Sequence, residues 1–112
     1  MPETGQSWQQ AFKGLPEEAA RVRAWAGGRV QHIDAPLVAH ELFVAILGTR
    51  PDVIEMTVST AGARARITAT GPAELNALHT HGPGLAIIAG LSRHSGVTTD
   101  ARGLWAQLQV GS

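Results

Sequence analysis

The sequence predicts an α+β fold, a two-layer α/β sandwich in which a mixed, mostly antiparallel sheet is covered by about three helices. Helix-like and strand-like segments fall into separate runs, in the order β-α-α-β-β-α-β-β, and this segregation favours a sheet with helices on one face. A chain of 112 residues buries one hydrophobic core rather than two. We therefore expect a flexible N-terminus over residues 1–6 and a single domain over residues 7–112.

The first half of the chain is expected to form one strand and two helices. Residues 7–15 fit an edge strand, with apolar side chains among polar ones. A helix over residues 16–26 is expected because proline fits a first helical turn, two glutamates follow it, and two glycines can end the helix. Asp34 is a suitable cap for a second helix, Ala35–Leu47, which is almost wholly apolar and must be covered on most sides.

Two alternating segments after the second helix predict a β-hairpin. Residues 53–60 and 63–70 each place apolar side chains at every second position, which is typical of half-buried strands. Ala61 and Gly62 lie between them and suit a turn. The side chains expected to face inward are Ile54, Met56, Val58, Ala65, Ile67 and Ala69, and those expected to face solvent include Arg64 and Arg66.

The last third of the chain predicts a loop, a third helix and a second hairpin. Residues 71–84 hold several Gly and Pro positions and form a loop, with at most a helical turn around residues 74–78. Residues 85–91 are predicted to be helical. Residues 96–99 and 104–110 are predicted to be paired strands, and the second of them alternates between apolar and other residues.

Composition excludes several classes of function. Acidic and basic residues balance at nine each, so the electrostatic attraction that drives nonspecific nucleic-acid binding has no obvious source. The chain has no Cys, which excludes disulfides and thiolate chemistry. No apolar run is long enough to cross a bilayer, and the opening MPETGQSW lacks the features of a signal peptide. We expect a cytoplasmic protein that binds neither nucleic acid nor membrane.

Three stretches of sequence resemble a known family. They are AARVRAW on the first helix, HELFVAIL on the second, and HGPGLAIIAGLS followed by GLWAQL at the end. Together with the element order, they resemble the histidine-kinase-like (GHKL, Bergerat-fold) ATPase family, near its anti-sigma-factor serine-kinase branch. The resemblance implies an ATP-binding fold and extends over nearly the whole chain.

The resemblance also implies that the residues for ATP and magnesium are largely missing. The family's second helix has Glu and, four residues later on the same helical face, Asn. Glu41 is present, as a remnant of the catalytic position, but Ala45 stands in the Asn position and offers no oxygen to Mg²⁺. Gly71 stands where the family has the Asp that accepts a hydrogen bond from adenine.

The glycine turn that the family uses for phosphate binding is altered as well. Here it reads Gly82, Pro83, Gly84, Leu85, and proline removes one of the backbone donors that would approach an anion at the helix N-terminus. The segment between Gly71 and this turn is short compared with the family's lid over ATP. A lone Glu41 cannot activate a nucleophile towards a phosphate that is neither bound nor clamped by metal.

These substitutions predict a pseudo-ATPase that has kept a protein-binding role. The resemblance implies a sigma factor or an anti-sigma antagonist as partner, and homodimerisation is a further expectation; no cofactor is expected. One alternative is an active serine kinase that binds ATP and Mg²⁺, with Thr70, Asn76 or Asp100 supplying polar contacts. Another is a subunit of a biosynthetic or transport assembly, with a small ligand in the emptied pocket.

Simpler explanations exist for the residues singled out. Glu41 is equally well explained as a partly buried carboxylate that pairs with Arg21, Arg23 or another base. Trp105 matches an aromatic residue of the family's last strand and is expected to pack against a helix rather than a ligand. Neither explanation requires catalysis.

The histidines give little support for a metal site. His40 and Glu41 do not form a zinc-protease motif, because Val44 occupies the place of the second His. His79 and His81 lie two residues apart, but no acidic residue or Cys that could complete the site lies near them in the sequence. We therefore predict no metal site.

Overall fold

The computed structural model describes residues 5–110, with the backbone alone at residues 77 and 78. This part of the chain contains five strands, four α-helices and a 3-10 turn at Pro16–Glu18. The strands are β1 (Gly5–Lys13), β2 (Val53–Ala61), β3 (Arg64–Thr70), β4 (His94–Val97) and β5 (Gly103–Gln109). The helices are α1 (Ala19–Gly27), α2 (Ala35–Leu47), α3 (Ala77–Thr80) and α4 (Pro83–Leu91).

The described strands form one sheet in the order β1-β2-β3-β5-β4, and each neighbouring pair is antiparallel. The helices cover one face of this sheet, with α2 against β2, β3 and β5, and with α1 and α4 against α2. The predicted α+β two-layer arrangement is therefore confirmed. The other face of the sheet has no helix packed on it within residues 5–110.

The core lies between α2 and the sheet. All six inward side chains predicted for the first hairpin are fully buried, as are Leu42, Phe43 and Ile46 on α2. Phe12 of β1 makes edge-to-face contacts with Trp25 of α1, at 5.9 Å between ring centroids, and with Phe43, at 6.4 Å. Because α2 is covered by the sheet and by two helices, its almost wholly apolar sequence is largely accommodated.

Several predicted boundaries differ from the structure. Residues 1–4 of the predicted flexible N-terminus lie outside the described residues, whereas Gly5 and Gln6 already belong to β1, paired with Ala61 and Thr60. The strand predicted at residues 96–99 lies at His94–Val97 instead, because Thr98 belongs to the turn and its hydroxyl accepts the Gly103 N–H at 2.9 Å.

Two side-chain predictions are wrong. Asp34 precedes α2, but its side chain makes no capping hydrogen bond; its backbone N–H donates to His32 Nδ1 at 3.0 Å. Trp105 does not pack against a helix. It is an outward residue of β5, where the Arg66 guanidinium lies 4.1 Å from the centroid of its ring. Its neighbours Leu104 and Ala106 are buried, so alternation along β5 places the indole on the opposite face.

Within residues 5–110, no helix combines the length and the apolar character needed to cross a membrane.

Candidate functional site

A pocket of about 340 Å³ opens between α2, the segment that contains α3, and the first turn of α4. Every predicted site residue except Gly71 borders it. The residues that line it are Glu41, Val44, Ala45, Gly48, His79, Gly82, Pro83, Gly84 and Leu85. Glu41 is the one formally charged side chain in this lining, and most of the rest is apolar.

The Glu41 carboxylate lies directly against the backbone of Gly84. A Cβ added at Gly84 would stand 2.7 Å from Glu41 Oε2, closer than side chains tolerate, whereas a Cβ at Gly82 would meet nothing within 4 Å. Glycine at position 84 therefore permits the contact between α2 and α4. At position 82 the space available would accept a larger residue.

The first turn of α4 offers few free donors to an anion. Pro83 has no N–H, and the N–H groups of Leu85 and Ala86 both donate to the Gly82 carbonyl, at 3.1 and 3.2 Å. The positive end of the α4 dipole is instead approached by the Glu41 carboxylate, whose negative charge it stabilises. The Glu41 carboxylate thus lies against the glycine turn that precedes and begins α4.

The alternative in which Glu41 pairs with Arg21 or Arg23 is not observed. Arg21 forms a salt bridge with Glu18 at 2.7 Å, and Arg23 NH1 lies 2.7 Å from His40 Nδ1. Among residues 5–110, the Glu41 carboxylate has no hydrogen-bonding or ion-pairing partner. Its position is explained by the α4 dipole and by packing rather than by an ion pair.

Ala45 and Gly71 lie in different environments. Ala45 is one turn along α2 from Glu41 and faces the pocket with a methyl group, which cannot ligate a cation. Gly71 is buried, and a Cβ added there would lie 3.0 Å from Ile46 Cγ2. It borders a separate cleft that also contains Asp52 and Thr70. Gly71 and Glu41 therefore do not line one cavity.

The three residues considered as replacements in an active kinase do not line the pocket either. Thr70 borders the separate cleft, and Asn76 accepts from the backbone N–H groups of His79 and Thr80 at the start of α3. Asp100 lies in the β4–β5 turn, where its carboxylate accepts hydrogen bonds from the Thr98 hydroxyl at 2.6 Å and the Arg102 N–H at 3.0 Å. These bonds, the hydroxyl first, hold the pKa of Asp100 below its usual value.

His79 is a site residue that the sequence did not single out for the pocket. It belongs to α3 and borders the pocket beside Gly48, at 3.8 Å from a Cβ added there. His79 is far from Glu41 along the chain, so the sequence does not show that both residues border the same pocket. Within the described residues, no three His, Cys, Asp or Glu side chains are grouped so that they could hold a metal ion. The lining does not fit a magnesium nucleotide.

Comparisons with known proteins do not assign a family. Neither the scan against protein-family models nor the search of curated proteins gives a match to this chain. The sequence resemblance, the fold and the chemistry of the pocket are therefore the basis for a proposed function.

Proposed function

We propose that this chain is a regulatory protein-interaction module of the anti-sigma-factor type, a pseudo-ATPase without kinase activity. Sequence resemblance in α1, in α2 and in the glycine turn before α4 supports the family. The loss of nucleotide chemistry is supported by the lining of the pocket.

One observation favours the loss of nucleotide binding above the others: nothing in the lining of the pocket compensates the charge of a phosphate. Glu41 supplies a carboxylate at the α4 N-terminus, and no Lys or Arg is among the lining residues. A nucleotide triphosphate would place several negative charges beside this carboxylate, with no cation to compensate them. Ala45 offers no ligand for the Mg²⁺ that could do so.

The surface beside the pocket suits a protein partner. Leu37, Glu41 and Val44 share one face of α2 by their spacing, and Ile87 lies one turn along α4 from Gly84. The three apolar side chains of this surface are 42% (Leu37), 40% (Val44) and 40% (Ile87) exposed. Partly exposed apolar side chains of this kind are common in interfaces between proteins. A sigma factor, an anti-sigma antagonist or a second copy of the chain would cover them.

A second candidate is a small-ligand-binding subunit. The pocket volume of about 340 Å³ lies within the range of small-molecule sites, and Glu41 and His79 border an otherwise mostly apolar lining. Such a ligand would be a small, partly apolar molecule with a group that donates hydrogen bonds to a carboxylate. The active-kinase alternative requires ATP and Mg²⁺ to bind despite Ala45.

Isothermal titration calorimetry with Mg-ATP and Mg-ADP tests the proposal. We expect no saturable heat at millimolar nucleotide, equivalent to a binding free energy weaker than about −4 kcal/mol. Saturable binding that requires Mg²⁺ would refute the pseudo-ATPase and favour the kinase. In that case the Glu41→Gln variant is compared in a phosphoryl-transfer assay, where the kinase alternative expects lost transfer with retained nucleotide binding.

A further inference from the structure

The sheet face opposite the helices bears two arginines that the pocket does not use. Arg64 and Arg66 are alternate residues of β3 and both point away from the core. Arg66 is paired with Ser59 on β2 and with Gln107 on β5, so small polar side chains flank it on both neighbouring strands. Arg64 and Arg66 are both exposed. The centre of this face is therefore polar and positively charged.

Arg66 is held in place by an aromatic ring. Its guanidinium lies 4.1 Å from the centroid of Trp105, a cation–π contact. The indole in turn lies over the adjacent strand at Gly96, where an added Cβ would stand 3.1 Å from the ring. A guanidinium fixed in this way loses less conformational entropy when it binds a carboxylate than a free side chain would.

A cleft of about 310 Å³ lies beside the two arginines. Its lining consists of Ser59, Thr60, Ala61, Arg64, Arg66 and Gln107, with no carboxylate. Neither arginine forms a salt bridge with any other described residue. On this face of the described sheet, the acidic residue is Glu55 of β2. It lies four residues along the strand from Ser59, the partner of Arg66, which is a distance of about 13 Å. Both guanidinium groups are thus free to bind an anion from outside.

We propose that this cleft binds an extended acidic segment of a partner protein, with carboxylates at alternate positions. Arg64 and Arg66 are about 7 Å apart along the strand, and alternate side chains of an extended peptide have the same spacing. Each guanidinium can donate two parallel hydrogen bonds to one carboxylate, while Ser59 and Gln107 bond the peptide backbone. The proposal deepens the interaction role proposed above and rests on it in taking a protein as the occupant.

A single-stranded nucleic acid fits this face less well. Base recognition on an open sheet depends on aromatic rings that can stack with bases, and the ring face of Trp105 is occupied by Arg66. Among the other outward side chains of the described strands, Phe, Tyr and Trp are absent, and the imidazole of His94 on β4 is the one remaining ring. The formal net charge of zero also provides no long-range attraction for a polyanion.

The test uses the full chain and a fluorescent peptide of alternating Glu and Thr, with binding measured by anisotropy at low salt. We expect saturable binding that weakens as NaCl is added, and no binding of the matching Gln–Thr peptide. Arg66→Gln should weaken binding by about tenfold, since it removes a charge-assisted pair of hydrogen bonds. Arg66→Lys should weaken binding as well, because lysine keeps the charge but cannot donate two parallel hydrogen bonds to one carboxylate.

Arg50→Gln is the matched control, because it removes the same charge from the loop after α2, outside the cleft. We expect its affinity to equal that of the unchanged chain, and circular dichroism checks that each variant is folded. Any of three results would overturn the proposal. The Glu–Thr peptide does not bind, Arg50→Gln and Arg66→Gln lose the same affinity for it, or oligo-dT binds more tightly than the peptide. Nucleotide calorimetry is independent of this surface, so failure of the peptide test and failure of the pseudo-ATPase proposal are distinguishable.

Discussion

Replacing Gly14 with alanine should destabilise the fold by about 2–6 kcal/mol, through backbone contact and the loss of one hydrogen bond. Gly14 follows β1 and passes close to the residues before β2. A Cβ added there would stand 1.8 Å from the Pro51 carbonyl oxygen and 2.9 Å from its carbon, and both of these atoms belong to the backbone. Relieving this overlap therefore requires the backbone to move by about 1.5 Å, because no side chain can rotate out of the way.

The magnitude follows from what this movement disrupts. The Gly14 N–H donates to the Asp52 carbonyl at 2.8 Å. Losing that bond costs about 1–3 kcal/mol where the groups are poorly hydrated, and strain from overpacking adds a similar amount.

Replacing Gly90 with alanine should have the opposite effect on the free energy of unfolding. Gly90 lies in α4 with open space around it, and alanine there should stabilise by about 0.4–1 kcal/mol.

Urea denaturation of both variants beside the unchanged chain measures the two effects. We expect the midpoint to fall for Gly14→Ala and to rise for Gly90→Ala, with similar m-values, because the surface exposed on unfolding is nearly unchanged. If the two variants differ by less than about 0.5 kcal/mol, the close approach of Gly14 to Pro51 is not a feature of the folded protein.

Three further predictions concern the site, a turn and the core. Gly84→Ala should change the free energy of unfolding by less than about 0.5 kcal/mol, because the atom that the new methyl group meets, Glu41 Oε2, ends a flexible side chain. The same variant should shift the ¹³C signal of the Glu41 carboxyl group, and an unmoved signal would contradict the contact. The carboxyl of Asp100 should titrate below 3.8, so its contribution to stability is present above that pH and is lost as pH falls through the lowered pKa. Thr98→Val should raise the pKa of Asp100 in an NMR titration, and no rise would argue against the role of the hydroxyl. Leu42→Ala should cost about 2–5 kcal/mol in urea denaturation, because Leu42 is fully buried, and a loss below about 1 kcal/mol would be inconsistent with that burial.

The sheet was predictable where one face of a strand is buried. Ile54, Met56 and Val58 alternate with polar residues, and a shift of one position would expose all three, so the pattern determines the face. The same rule was sufficient for Trp105. Leu104 and Ala106 face the core, which requires the indole between them to face outward, whereas the expectation taken from the family placed it against a helix.

Short elements were less predictable. β4 has four residues, of which none is fully buried, so its sequence contains no periodicity that would fix its ends. Its position depends on pairing with β5, where His94 lies opposite Gln107. The helical turn Ala77–Thr80 is similarly brief, and its placement depends on backbone contacts such as that of the Leu75 N–H with the Ala101 carbonyl at 2.7 Å.

Several of the residues that line the pocket were singled out from the sequence, but their geometry was not. Family resemblance selected Glu41 and Gly84, which do come together. That the Glu41 carboxylate approaches the α4 N-terminus depends on how α2 and α4 cross, and local sequence does not specify this. The separation of Gly71 from the pocket, and the presence of His79 in it, likewise depend on contacts between segments distant in the chain.

The most direct test of the central proposal is a residue-resolved NMR titration of the ¹⁵N-labelled chain with Mg-ATP. We predict that the amide signals of Glu41, Ala45, Gly82 and Gly84 stay in place at millimolar nucleotide, because the pocket lining has no Lys or Arg and Ala45 offers no ligand to Mg²⁺. Saturable shifts confined to these amides and dependent on Mg²⁺ would show that the pocket binds nucleotide, and would contradict the pseudo-ATPase proposal.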